Sequence, residues 1–417
     1  SALNYHYTAL HGLMLWAWML RNANYQIDLF THQFANGRTL EQGFSAMVQE
    51  LFPDLTVPQI GDTYGHTIYL PEEQSSDVAW TVYQKPLFGW LVSQRIRPAS
   101  IYSLFCEAEP KAFEPPSVAS RNFPEHGHVM LRSIEGKDYW NSNSWAAFLT
   151  YDLDSVHSHR DKLSLILFGR GKVLAQDVNA LASVPHAFSA KVTSELNRST
   201  ISHNTLIVDR RDHAPIGEKL SLLEFKNLPE VKTATVADLK GLVYPGVKMQ
   251  RTVAVAEDYV LDVFQVVSEE THLYGWLLHV TSDGNTASIE GEFKPIELPA
   301  QSPWCWLRNP RSFKQDGDWS AEWFLGDVRF RMTMLGAQGT EIILSDYPRD
   351  DQFELPPIPM LMVERKGKSA IFIAVYQAEK NVIPPIKVSA SSDAYNTLRI
   401  KVSVKERVNE HLIAKIE

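Results

Sequence analysis

The sequence predicts a multidomain α+β protein, helical over residues 1–115 and built of antiparallel β-strands in stacked sheets over residues 116–417. Three observations carry that expectation. Apolar residues recur at helical spacing only in the first hundred or so residues. Short β-branched and aromatic runs separated by turn residues fill the chain from about Val118 onward. Between the two textures stands Glu114-Pro115-Pro116, which ends any helix and marks the boundary.

In chain order, Tyr5 to Leu20 is apolar almost all round but is interrupted by His6, His11 and Gly12, which predicts a buried core helix rather than a membrane span. Thr39-Leu40-Glu41-Gln42 fits a capping box, and Leu40, Phe44, Met47, Val48 and Leu51 follow at helical spacing. Pro53, Pro58 and Gly61-Asp62-Thr63 read as a long connecting loop, and a further helical patch spans Phe88 to Val92. The predicted strands include His128 to Ile134, Ala146 to Leu153, Leu163 to Phe168 and Val173 to Val178, with Gly169-Arg170-Gly171-Lys172 as a hairpin loop. Strands continue to Leu398–Val404, and a smaller C-terminal sandwich is expected from about residue 300.

A net charge of −9 and a pI near 5.9 argue against nonspecific binding to nucleic acid or a membrane surface, while a local basic patch stays compatible with an anionic ligand. Two cysteines, Cys106 and Cys305, are too few for a disulfide framework or a cysteine metal cage, so buried free thiols are expected. Eleven Trp include the pairs Trp16/Trp18, Trp140/Trp145, Trp304/Trp306 and Trp319/Trp323, which we expect in the core rather than lining a carbohydrate groove. The chain opens Ser-Ala-Leu-Asn-Tyr without an initiator Met or a leader, and is expected to be processed or a fragment.

The densest chemistry is His157-Ser158-His159-Arg160-Asp161, where two imidazoles two residues apart share a side if the segment is extended. Asp177 and His203 are the later residues that can join them. Two imidazoles and a carboxylate make a borderline-soft set suited to Zn2+ and open to a fourth ligand. A simple hairpin sets Asp177 opposite about Ser164, so His159 has to reach back from a loop before the strand. Scattered, unrelated histidines are the competing reading of the same residues.

Several runs together resemble the heparinase II/III-like polysaccharide lyases, which include heparin lyases and exo-acting oligoalginate lyases. They are Phe148-Leu149-Thr150-Tyr151, the stretch from His157 to Leu163, Gly171 to Asp177, and Ser202-His203-Asn204-Thr205 through Asp209. Gly127 to Ser133, Val260 to Phe264, Trp276 to His279 and the opening Ser1-Ala2-Leu3-Asn4-Tyr5-His6 extend the likeness over most of the chain to about residue 280. The resemblance implies the C-terminal part of an incomplete (α/α) toroid followed by a large antiparallel β-sandwich region, with a cleft between them. It implies Tyr5 and His157 as catalytic residues, and His159, Asp177 and His203 as ligands of a structural zinc near the active site. It further implies a uronic-acid-containing, anionic polysaccharide as substrate and a periplasmic or secreted location. Two local departures are that no Tyr lies between Asp177 and His203, where the alginate-acting members carry one, and that Val178-Asn179 replaces a Pro-Gly after the metal Asp.

The implied reaction is β-elimination: a base removes the C5 proton α to a carboxylate, and the O4 leaving group departs. A tyrosine with an ordinary pKa near 10 needs a neighbouring positive charge to serve, and His157 with Arg160 is the expected source. Arg160, His66 and Tyr244 are candidate substrate contacts, whereas Asp161 is expected to shape the loop through a local ion pair with Arg160 rather than to take part in chemistry. His186 and His213 are expected on exposed loops. In the family the residue that neutralises the substrate carboxylate stands on a helix upstream of the position of Ser1, so it is expected outside this chain. A glycan-binding fragment without catalysis and a zinc-dependent hydrolase are the alternatives. Sulfation of the substrate, endo or exo mode and oligomeric state are left open by the sequence.

Overall fold

The computed structural model describes residues 3–63, 67–98, 100–105, 113–140, 143–178, 190–280, 287–393 and 396–417. Its α-helices, among the described residues, all precede the first strand: α1 (Leu3–Asn22), α2 (Leu40–Val48), α3 (Gln74–Tyr83) and α4 (Pro86–Ser93). The capping box of α2 forms as expected, with Gln42 N–H donating to Thr39 Oγ1 at 3.2 Å and Thr39 N–H to Gln42 Oε1 at 3.1 Å. Helix α1 buries Leu3, Tyr7, Leu10, Met14 and Ala17 on one stripe and leaves Trp16 and Met19 exposed. No helix among the described residues is long and apolar enough to cross a membrane. Helix α3 was not anticipated as a separate element, because its buried positions include Ser75, Ser76 and Asp77, which break the apolar stripe. Those polar groups find partners outside the helix: Ser76 donates to the Leu70 carbonyl, and Asp77 pairs with Arg95.

Behind the helices lies a five-stranded antiparallel sheet of β1 (Arg121–Phe123), β2 (His128–Arg132), β3 (Ala146–Thr150), β4 (Leu165–Gly169) and β5 (Lys172–Ala175), in that spatial order. Strands β2, β3 and β4 are buried at every position, which explains the apolar runs of β3 and β4 and the apolar centre of β2 between His128 and Arg132. Alternate residues serve different layers. Met130, Ala146, Phe148, Ile166 and Phe168 pack against the helices, while Val129, Leu131, Ala147, Leu149, Leu165 and Leu167 pack against a second, larger sheet.

That larger sheet has twelve strands, with Val260–His279 paired on one side to Val247–Ala256 and on the other to Ile358–Glu379. Strands beyond residue 300 do not begin a sandwich of their own, because Val328–Met334 and Glu341–Tyr347 both pair with Ile358–Glu379 and so join the same sheet. Only Ile386–Ser392, Thr397–Val404 and Arg407–Ala414 form a separate three-stranded sheet, whose Leu398, Ile400 and Val402 cover Leu261, Val263 and Val375 of the large one. The layers thus run helices, five-stranded sheet, twelve-stranded sheet, three-stranded sheet. Of the paired tryptophans, Trp145, Trp304, Trp306, Trp319 and Trp323 are core, Trp18 and Trp140 are half-buried, and Trp16 is exposed. Cys305 is an exposed free thiol rather than a buried one, and Cys106 lies outside the described residues.

Candidate functional site

The hairpin joining β4 and β5 forms at the expected residues, with Gly169 paired to Lys172 and both intervening residues, Arg170 and Gly171, at positive φ (56° and 82°). Leu167 pairs with Ala175, which brings Asp177 level with Leu165, one residue from the expected position. Beyond that pair the ladder is replaced by a side chain. Asn204 donates from Nδ2 to the carbonyls of Leu165 (3.0 Å) and Gln176 (2.8 Å), and its Oδ1 accepts from His279 N–H (2.7 Å). This pinning sets His203, its neighbour, beside Asp177.

No strand passes through residues 151–164, so His157 and His159 project from a loop rather than from a strand face. They nevertheless meet on one group, Asp62. His157 Nδ1 lies 3.1 Å from Asp62 Oδ2, and His159 Nε2 lies 2.9 Å from Asp62 Oδ1. Arg198 completes the arrangement with Nε 3.1 Å from Oδ1 and a terminal nitrogen 2.8 Å from Oδ2, and Asp62 N–H donates to the His157 carbonyl. Burial pushes the Asp62 carboxyl up, but hydrogen bonds from His159, Arg198 and His157 outweigh it and hold the group far below the usual carboxylate range. An ionised carboxylate only accepts, so both imidazoles donate to it. The basic lone pair of a neutral ring is then at Nε2 in His157 and at Nδ1 in His159.

Tyr5, in the first turn of α1, stacks on His157 with ring centroids 3.5 Å apart and 6° between the planes. A residue of the helical layer and one of the β region therefore share one partly exposed surface; the His157 side chain is 30% exposed. The His159 side chain, by contrast, is 2% exposed.

His159, Asp177 and His203 are buried together, each offering a ligand atom within 4.8 Å of the others. His203 Nδ1 lies 2.8 Å from Asp177 Oδ1. Three buried atoms of this cluster have no hydrogen-bond partner: His159 Nδ1, His203 Nε2 and Asp177 Oδ2. Three converging acceptors left unsatisfied in a dry interior fit a divalent cation, and the donor set of two imidazoles and a carboxylate suits zinc. Were a cation held there, Asp62 would be the outer partner that fixes the tautomer of His159. Burial pushes the Asp177 carboxyl up, and it pulls the His203 imidazole down by less than the neighbouring Asp177 carboxylate raises it.

The remaining expected residues divide differently. Arg160 turns to Asp154 at 3.6 Å, and the guanidinium beside His157 is that of Arg198. Asp161 does form a local ion pair, but with Lys162 rather than with Arg160, and the buried Lys162 ammonium also meets Asp152 and Asp154. Tyr244 is not a surface contact: it is 7% exposed and its hydroxyl donates to the Arg211 carbonyl at 2.6 Å, because the turn at Pro245-Gly246 folds it into the core. His213 is likewise buried, accepting from Lys162 N–H and bonded to the Leu206 carbonyl, and burial brings it down to about 3. His66 and His186 lie outside the described residues. Asp62, Arg198 and Asn204 were not anticipated in these roles. Asp62 sits in a Gly-Asp-Thr loop and Arg198 in no motif, so only the chain's path brings them to the histidines.

The family described as heparinase II/III-like, C-terminal, matches residues 115–347. That is over half of the 417 residues, and the chain belongs to this family. A protein named alginate lyase from Stenotrophomonas maltophilia (strain K279a) is 26% identical over 251 residues, covering 53% of this chain and 33% of that protein. Among solved structures, heparan sulfate lyase HepC from Pedobacter heparinus aligns with 100% of this chain and 58% of its own, with a TM-score of 0.67 and 15% identity. A heparinase III aligns with 99% of this chain and 59% of its own, with a TM-score of 0.72 and 11% identity. At those identities the structural likeness shows the fold, including the β-sandwich. The chain spans a third of that curated relative and under three fifths of those solved structures.

Proposed function

We propose that this chain is the part of a polysaccharide lyase that carries Tyr5 and His157 as its proton-transfer pair, acting on a uronic-acid-containing glycan by β-elimination. The observation that carries the reading is the parallel stack of Tyr5 on His157, with His157 held through Nδ1 by an ionised Asp62. In the reaction the C5–H and C4–O4 bonds break, the C4–C5 double bond forms, and the leaving oxygen takes up a proton. Tyr5 acts as base, acid or both according to the epimer bound. His157, with its basic lone pair at Nε2, is the alternate base or the partner on the carboxylate side. Arg198, rather than Arg160, is the guanidinium next to His157, the two sharing the Asp62 carboxylate.

The four helices are read as the last part of an (α/α) toroid, with the substrate running between them and the β region. His159, Asp177 and His203 would hold zinc, whose contribution there is to order the loop that presents His157. A polymeric, anionic substrate fits a periplasmic or secreted protein. Heparin-like glycosaminoglycan and oligoalginate are both uronic-acid glycans, and a panel of such polymers scored for absorbance of the new double bond separates them. Tyr5→Phe with undiminished unsaturated product overturns the assignment, and glycan binding with no unsaturated product from the unaltered chain replaces the lyase by a binding protein.

A further inference from the structure

A second cluster with the chemistry of a ligand set lies near His6, whose ring centroid is 5.5 Å from that of His126. Glu50, just after α2, is buried against His126 and His128, which flank Gly127 at the start of β2. Glu50 Oε1 lies 3.0 Å from His126 Nδ1, and Glu50 Oε2 lies 3.6 Å from His128 Nδ1. In a tetrahedral site with metal–ligand bonds near 2.0–2.1 Å, neighbouring ligand atoms stand about 3.4 Å apart, and here each of the three groups offers a ligand atom within 4.8 Å of the others.

The hydrogen bonding points the same way. His128 is 0% exposed and neither of its ring nitrogens has a hydrogen-bond partner, and Glu50 Oε2 has none either. A fully buried imidazole unsatisfied at both nitrogens is costly unless something else binds it.

The site is also held by backbone geometry. Gly127 has φ +74°, and a Cβ there would stand 2.6 Å from the Asp152 Cα, so only glycine fits between the two histidines. Its carbonyl accepts from Tyr151 N–H at 2.7 Å, and His126 N–H donates to the Phe123 carbonyl at 3.1 Å. The cluster is not sealed. A cavity of about 500 Å³ is lined by Glu50 and His126, together with His6, Arg38, Gln42 and Arg121.

We propose that Glu50, His126 and His128 form a second divalent transition-metal site of the zinc type, facing this cavity and joining the helical layer to the five-stranded sheet. Its residues are distinct from His159, Asp177 and His203, so it neither requires nor excludes a cation there. Two imidazoles and one carboxylate leave a coordination position for water or a small anion, and Arg38 and Arg121 on the cavity wall favour an anion.

The test is metal stoichiometry of the full chain after equilibrium dialysis against Zn2+, repeated with Co2+ to read the ligand-field bands. His126→Ala is the primary variant, because the His126 side chain is 31% exposed and its loss leaves the core intact. Glu50→Gln keeps the shape while removing the charge. Both variants are expected to bind one equivalent fewer than the parent chain, with unchanged far-ultraviolet circular dichroism. His203→Ala removes a different equivalent, so His126→Ala with His203→Ala loses both. Equal stoichiometry in the parent chain and in His126→Ala overturns the second site, whatever the first cluster binds.

Discussion

His157 and His159 stand two residues apart in one loop and donate to the two oxygens of one carboxylate, yet their surroundings differ. His157 is partly exposed and stacked on Tyr5 from the helical layer, whereas His159 is buried beside Asp177 and His203. Sequence spacing alone makes them a pair. Their environments leave one ring partly open to solvent and bury the other in a polar cluster, and Asp62 links the two through a single charged group.

The comparison is broken most severely at its exposed end. Tyr5→Phe is expected to lower turnover by about 10²–10⁴-fold, the usual contribution of a positioned acid–base group, with the melting temperature unchanged. His157→Ala should lower turnover in the same way and keep the metal. At the buried end, His203→Ala leaves Asp177 buried without its partner and is expected to cost about 3–5 kcal/mol in denaturant unfolding, together with loss of bound zinc. His159→Ala should also lose the metal, and equal metal loss in His157→Ala and His159→Ala would refute the division.

Asp62→Asn sharpens the comparison because it touches both ends. Metal affinity should weaken by about 10–100-fold, as when the outer partner of a ligating histidine is removed, and turnover should fall as well. The same variant has a pH signature. The Asp62 carboxyl is depressed in the folded state, so its stabilising contribution is fully present above the ordinary carboxylate pKa of about 3.9 and is lost as pH falls below it toward the folded value. Acid unfolding curves of the parent chain and Asp62→Asn should therefore diverge at neutral pH and converge in strong acid. Arg160→Ala is the smallest perturbation, within about 1 kcal/mol, because its contact with Asp154 is a partly exposed pair at 3.6 Å.

Much of this was legible in the residues. Unbroken apolar runs marked β3 and β4 because both faces of that sheet are covered, and Thr39 and Gln42 marked the start of α2 because capping is a local interaction. The histidines, Asp177 and Tyr5 were nameable from motif likeness. Tyr244 was misread because a Tyr before Pro-Gly looks the same whether the turn faces solvent or folds onto the core. Helix α3 escaped because its buried polar residues find their partners elsewhere in the chain.

The sequence by itself determined the capped start of α2, the buried strands β3 and β4 and the change from helical to β texture, since each of these depends on neighbours a few residues away. Only the tertiary structure decided that Asp62 and Arg198, 136 residues apart, close over His157 and His159, and that Glu50 meets His126 across 76 residues. Such encounters are set by how the sheets and helices stack. The interaction that fixes each charge therefore leaves no local pattern in the chain that encodes it.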